Sequence, residues 1–401
     1  MAETVTWLHI SDTHLCKEKH SWNCEEIFES FFIDIKFMED KYGLIPDLIF
    51  FTGDIALGQD NSKGLFLKDQ YVEAQEFIEK ISNAFSKKIP ITNIFIVPGN
   101  HDVNRTQITP DQTDWFKNIH KKVKENPGEI INELVKSKSK QWTRCMERLE
   151  DYRLFLDKGG YNHLLCDPER LIYSKVCRIN GYKVGISGLN SVWSSSGDGE
   201  KANLWLGTYQ ILESRNFLKD STFSISLIHH PPNWFTEFEE LDITKNMERI
   251  FKFCLHGHEH QEWVTLKDQH IRIASGALYN GYGKETGYNF VRLYPDENEG
   301  EVFLRKYDNG SWVPRIIGGG KTDNEGIWKL KSLNINIKKT ENNTETKEIV
   351  IPEAKEINGE ILRYPPYMSI SDSVPLFLDQ IKNISINENL YSYLRAIISI
   401  S

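Results

Sequence analysis

The sequence predicts an α/β protein. The expected fold is a mixed β-sandwich of two sheets flanked by helices, with a helical insertion and a C-terminal appendage. Three observations carry that prediction. Over the first hundred residues, short apolar runs alternate with amphipathic helical segments, the pattern of strands with helices on their outer faces. After residue 170 the chain becomes strand-rich, which predicts a second sheet packed on the first. Many of the runs also stop abruptly at glycine or at metal-competent side chains, as strands do where they deliver an active site.

The elements follow in order. Val5 to Ile10 reads as a strand that runs straight into Ser11-Asp12-Thr13-His14. Residues 22–42 place Ile27, Phe28, Phe31, Phe32, Ile35 and Met38 at helical spacing. Asp47 to Phe51 is a buried strand closed by Thr52-Gly53-Asp54, residues 65–86 a second helix, and Ile94 to Val97 a third strand. Pro98-Gly99 then turns the chain into Asn100-His101-Asp102. Later strands are expected at 183–187, 223–228, 250–255, 271–274, 289–293 and 302–306. Gly318 to Thr322 imitates the end of a phosphate-binding loop, but Arg315 stands where its first glycine is required, so it reads as a turn.

Residues 103–160 differ. They read as helical and polar, with 12 Lys/Arg against 9 Asp/Glu. The bases include Lys117, Lys121, Lys122, Lys124, Lys136, Lys138, Lys140, Arg144 and Arg148, with Trp115 and Trp142 among them. Two readings stand: a solvated helical hairpin, or a cap that attracts an anionic substrate. From about 321 the chain turns polar, then Pro-bearing. It ends in an apolar to amphipathic stretch, 374–400, expected to bury that face against itself, a second copy or a partner protein.

Composition bounds the function. At 401 residues with 39% apolar and 26% charged side chains, the chain can build a large soluble core. A net charge of −9 argues against a generic nucleic-acid binder while allowing a local basic surface. No basic-then-apolar leader opens the sequence and no apolar run reaches membrane-spanning length, so neither secretion nor a membrane is expected. The six cysteines are scattered without a C-x-x-C pair, which reads as free thiols in a reducing, cytoplasmic compartment.

The chemistry lies at the strand ends. Asp12, His14, Asp54, Asn100, His101, His229, His258 and His260 each follow an apolar run directly. One histidine so placed is usually structural, but five strand ends presenting metal-competent groups are not. Two divalent ions about 3.5–4 Å apart need a bridging ligand and a mixed nitrogen and oxygen shell. Asp54 can bridge with two oxygens. Asp12 and His14 alternate along an extended segment and can grip one ion together, and His258 and His260 share that spacing. Such donors suit zinc, iron or manganese. His230 is set aside because successive strand residues face opposite ways, and His256, two before His258, could share its face.

These motifs (Asp12/His14, Gly53-Asp54, Gly99-Asn100-His101-Asp102, His229-His230-Pro231 and Gly257-His258-Glu259-His260) together resemble the calcineurin-like metallophosphoesterase superfamily over residues 5–293. The resemblance implies a four-layer αββα fold and two divalent metal ions. One takes Asp12, His14, Asp54 and His260; the other takes Asp54, Asn100, His229 and His258. It implies attack on phosphorus by a metal-bridging hydroxide, with His101 as catalytic imidazole and Asp102 orienting His101 or a neighbouring loop. Arg105 is a candidate contact to a substrate phosphate. The implied domains are a catalytic unit at 1–320, with its insertion at 103–160, and a docking or oligomerisation segment at 321–401. The expected activity is hydrolysis of a phosphodiester in a nucleotide or nucleic acid. The stretch Gly99 to Arg105, followed by a long insertion, resembles a bacterial branch often fused to NTPase or sensor modules, some in phage defence, which implies a nuclease effector. A phosphomonoesterase or protein phosphatase, and a metal-bound interaction module, are the alternatives.

Overall fold

The computed structural model of the chain describes residues 3–19, 22–122, 126–197, 199–267, 269–281 and 283–335. The apolar stretch at 374–400 lies outside them.

Thirteen strands are assigned among the described residues. They are β1 (Val5–Ile10), β2 (Leu48–Phe51), β3 (Ile94–Ile96), β4 (Tyr173–Ile179), β5 (Tyr182–Gly188), β6 (Phe223–Leu227), β7 (Phe253–His256), β8 (Glu262–Lys267), β9 (His270–Ser275), β10 (Gly287–Tyr294), β11 (Glu299–Asp308), β12 (Ser311–Pro314) and β13 (Ile327–Leu330). The first sheet has the order β12-β11-β10-β1-β2-β3, with β13 also on β11, and the second the order β4-β5-β6-β7-β9-β8. In each, a parallel centre (β1-β2-β3; β5-β6-β7-β9) is finished by antiparallel strands.

The two sheets share one core. Trp7 on β1 meets Phe253 on β7 edge-on, ring centroids 5.4 Å apart. Alternation sorts the second sheet's side chains. Phe253 and Leu255 join the core that contains the first sheet. Cys254 between them joins a separate cluster with Ile211, Ile243 and Met247, which come from α7 (Thr208–Leu218) and α8 (Glu237–Ile250). On the first sheet lies α1 (Trp22–Tyr42), whose Phe31 packs on Tyr288 and Trp312. Asp34 pins that helix down, accepting hydrogen bonds from Tyr288 Oη (2.5 Å) and Arg305. Helix α2 (Leu67–Ser82) also contributes to this core. The layers are therefore helix, sheet, sheet, helix, as the sequence predicts.

Three expectations need correction. The strands at 289–293 and 302–306 are not in the second sheet: β10 pairs with β1, and β11 follows it in the first. The parallel run β1-β2-β3 leaves one edge of β1 open, and β10 closes it. Strand β13 pairs with β11, so the first sheet continues past the expected boundary at 320. The strand expected at 250–255 begins at Phe253 because Ile250 closes α8.

The insertion is neither a hairpin nor wholly solvated. It forms α3 (Pro110–Lys122), α4 (Pro127–Ser137), α5 (Lys140–Glu147) and α6 (Glu150–Lys158). Phe116, Ile131, Val135 and Trp142 build a core of their own with Trp193 and Trp205. Trp142 is buried, its ring centroid 5.1 Å from that of Trp193. Arg148 is buried as well, donating to the carbonyls of Cys145, Trp193 and Ser195. Two residues read as surface features are thus structural. The turn at 318–322 is a turn, and all six cysteines are free.

Candidate metal centre

All eight candidate residues sit on loops that the strands deliver rather than on the strands. Asp12, His14, Asp54, His258 and His260 all have positive φ, between 47° and 68°. The extended geometry expected for Asp-x-His is therefore absent. A left-handed turn, not strand alternation, brings each pair together. For non-glycine residues this conformation costs on the order of 1 kcal/mol or more each, and surrounding backbone bonds hold it. Asp12 N donates to Gly53 O (3.0 Å), His14 N to Asp54 O (3.1 Å) and Tyr279 N to Asp12 O (3.1 Å).

Two glycines make room. A Cβ on Gly99 would overlap the backbone and carboxylate of Asp54, and one on Gly257 would overlap Ser11 and Asp12. Neither position tolerates a side chain while the loops approach this closely.

The side chains converge. His229 Nε2 lies 3.3 Å from Asp54 Oδ2 and 2.9 Å from Asn100 Oδ1. His258 Nδ1 is 3.1 Å from His229 Nε2. His260 Nε2 is 3.1 Å from Asp12 Oδ1, and His258 N donates to Asp12 Oδ2 (3.0 Å). His14 Nε2 stands 3.6 Å from Asp54 Oδ2, beyond hydrogen-bond reach. All seven expected ligands are in this one cluster, and His101 borders it, its ring centroid 4.8 Å from that of His14.

Backbone carbonyls fix the imidazole tautomers. Nδ1 of His14 faces Tyr279 O (2.8 Å), and Nδ1 of His229 faces Thr52 O (2.7 Å). A carbonyl only accepts, so each Nδ1 carries its proton. In the neutral ring, Nε2 then offers a bare lone pair to the cluster, the usual arrangement of a metal-bound histidine. His14 Nε2 is buried and has no hydrogen-bond partner. Asp12 and Asp54 are buried too, and the ion-pair partners found for them are imidazoles. Burial opposes ionisation of Asp12, but the His260 hydrogen bond and the His229 charge hold it at about 2. Burial lowers the pKa of His229, yet the Asp54 and Asp12 carboxylates outweigh it and raise the ring to about 9. Two buried carboxylates with such a field, and an imidazole nitrogen aimed at no partner, fit divalent cations. Groups that could hold an ion are Asp12/His14/His260, Asp12/Asp54/His229, His14/Asp54/His101 and His229/His230/His258.

Asp102 and His101 part company. Asp102 is buried. It accepts from Gly99 N (2.7 Å), Asp54 N (3.0 Å) and Tyr71 Oη (3.0 Å). It makes no bond to the His101 ring; its partners are the loop backbone and the Tyr71 hydroxyl. The His101 ring instead donates from Nδ1 to Leu57 O (2.5 Å). Its pKa is lowered, first by burial, with Asp54 opposing. Arg105 lines a cavity that His101 also borders.

The sequence reading missed several contributors. The carbonyls of Thr52, Leu57 and Tyr279 leave no signature in a sequence, and Tyr71 sits on α2 without local sign. His230 was set aside by strand alternation, but β6 ends at Leu227. Its ring lies 4.3 Å from that of His258 by centroid, with Nδ1 3.1 Å from Ser191 Oγ. Trp234 stands edge-on to the His258 ring at 4.0 Å. His256 remains on β7, outside every group of described residues that could hold a metal.

The chain is similar to several solved structures, all distantly. A dimetal phosphatase from Danio rerio shares 9% identity, with a TM-score of 0.43 over 75% of this chain and 95% of that one. A putative 5′-nucleotidase from Staphylococcus aureus shares 11%, with a TM-score of 0.39 over 80% and 56%. The phosphopantetheinyl hydrolase of Mycobacterium tuberculosis shares 15%, with a TM-score of 0.35 over 69% and 92%. None of these bears on the substrate. No curated protein matches the chain. No described helix is long and apolar enough to cross a membrane. The family model for calcineurin-like phosphoesterases matches residues 5–262. With well over half of its length matched and the Asp/His cluster inside that span, the chain belongs to the calcineurin-like phosphoesterase family, metal-dependent hydrolases of phosphoric esters.

Proposed function

We propose that the protein is a dinuclear metal-dependent phosphodiesterase acting on a nucleotide or nucleic-acid phosphodiester. The observation that carries this reading is the position of His101. It borders the Asp54 cluster on one side and a cavity of about 430 Å³ on the other, which is room for a large leaving group. Asp12, His14, Asp54 and His260 would hold one ion, and Asp54, Asn100, His229 and His258 the other. Two such ions supply a water of lowered pKa and neutralise charge on the phosphoryl oxygens. The mixed imidazole and carboxylate donors suit manganese, iron or zinc.

The protein's own groups do the rest. Leu57 O holds the His101 ring by Nδ1, so Nε2 is the nitrogen that faces the reacting ester. Protonated there, it donates to the leaving oxygen as the bond to phosphorus breaks. Asp102 keeps the Asp54 and Gly99 backbones in register, which sets where phosphorus sits relative to that nitrogen. A nuclease effector in phage defence is the setting this reading favours, on the resemblance of Gly99 to Arg105. The test is metal analysis of the purified protein, followed by turnover of bis-p-nitrophenyl phosphate and p-nitrophenyl phosphate with added Mn²⁺. The expected result is about two metal equivalents per chain and efficient cleavage of the diester. A strong preference for the monoester overturns the diester assignment.

A further inference from the structure

The cavity beside His101 is basic in a chain that is acidic as a whole. Among the described residues its walls include Lys19, Lys63 and Arg105, against the single acid Asp60. Lys63 is taken up by Asp60 at 2.7 Å, and among the described residues Lys19 and Arg105 form no ion pair, in a protein of net charge −9. The Nε of Arg105 is buried with no hydrogen-bond partner among the described residues. A buried guanidinium donor left unsatisfied is costly, and a phosphate oxygen is the acceptor that a planar guanidinium fits best. The loop forming one wall is held firm. Gln70 accepts from Gly58 N and donates to Gly58 O, both at 2.9 Å, while Leu57 O holds His101. The wall at Leu57 and Gly58 and the imidazole of His101 are thus fixed relative to each other.

We propose that this cavity is the leaving-group subsite and that it binds a second phosphate. The preferred substrates are then esters whose leaving group itself carries a phosphate, as a nucleoside phosphate within a nucleotide chain does. The inference rests on the reading of His101 as the group at the leaving oxygen. In the step, water adds to phosphorus and the bond from phosphorus to the leaving oxygen breaks. That oxygen keeps the bond pair and takes the proton from His101 Nε2. The proton released by the water restores His101. The products are one phosphoric ester and one alcohol, the alcohol still holding its phosphate against Lys19 and Arg105.

The test uses the full-length, metal-loaded protein and three dinucleotides: dithymidine monophosphate, and the same molecule with a terminal phosphate at its 5′ or its 3′ end. One of the two phosphorylated forms is expected to show a KM lower by about tenfold, the worth of one charged hydrogen bond. Lys19→Gln and Arg105→Gln each pull that ratio toward one, whereas Lys245→Gln on α8 leaves it in place. Since the charge of Arg105 also acts on His101, Lys19→Gln is the cleaner arm. Equal KM values for all three dinucleotides, or a preference that survives both substitutions, overturn the subsite. If only monoesters are turned over, the diester reading fails separately. Thymidine 3′,5′-bisphosphate against thymidine 5′-monophosphate then decides the subsite by the same ratio and the same variants. A protein that turns over none of these compounds overturns both.

Discussion

His101 and Asp102 are neighbours that serve different ends. The imidazole lies between the Asp54 cluster and a cavity, and the carboxylate faces the backbone that carries Asp54 and Gly99. Burial, helped by the Asp54 charge, pushes the Asp102 carboxyl up to about 7 in the protein without metals. If His101 is the proton donor, its removal spares the ligand set. His101→Ala is expected to keep its metal content and to lose turnover by about 10²- to 10⁴-fold, the usual worth of a general acid. Metal analysis alongside steady-state kinetics checks this, and full turnover with both metals bound would falsify the role. A sequence displays the residue types at these positions and their order. It does not display that five of the proposed ligands adopt left-handed backbone, because that strain is tolerated only where the fold overrides local preference.

Among the elements, α8 shows how a loop near the site is tied down. Glu239 in its first turn accepts from Leu206 N (2.9 Å) and Gly207 N (3.1 Å), fixing the segment that carries Trp205. Burial pushes this carboxyl up to about 7, from an ordinary value of 4.5. Between those values the folded chain holds a proton that the unfolded chain has released. Stability from this group is therefore fully present below about pH 4.5 and is lost as pH rises through 7, by about 3 kcal/mol in all. Glu239→Gln keeps the acceptor oxygen and removes the titration. Urea unfolding at several pH values should show a flatter profile over this window in the variant, and an unchanged slope would exclude Glu239 as its source. The insertion makes a related point. Counting Lys and Arg could not reveal Arg148 as a core residue, because a guanidinium satisfied by three carbonyls looks, in sequence, like any other surface base.

At the scale of the molecule, the proposed ligands come from both sheets. Asp12, His14, Asp54 and Asn100 follow strands of the first, and His229, His258 and His260 follow strands of the second. Metal binding therefore ties the two sheets together, and only in the native state. Added Mn²⁺ or Zn²⁺ is expected to raise the melting temperature, by the equivalent of about 4 kcal/mol at a thousandfold excess over Kd. Dialysis against chelator should reverse it. A thermal scan that ignores both would mean that the cluster holds no ion. The central strands and α1 were legible because their apolar periodicity is strong and local. Strands β4 and β8 were not: each lies at a sheet edge and is only partly buried, so its pattern is weak. The membership of β10 and β11 in the first sheet was illegible for a different reason. It depends on which edge is open after β1, β2 and β3 have paired, and no local window contains that information.

The pairing of Val5 with Leu293 also has a consequence in time. Strand β1 leaves the ribosome well before β10, the strand that covers its edge, which emerges roughly 15 to 60 s later at ordinary synthesis rates. Through that interval an apolar edge is open to pairing with a neighbouring nascent chain. Production of this protein is therefore expected to be limited by how well that early edge is shielded in the cell, more than by the stability of the finished sandwich.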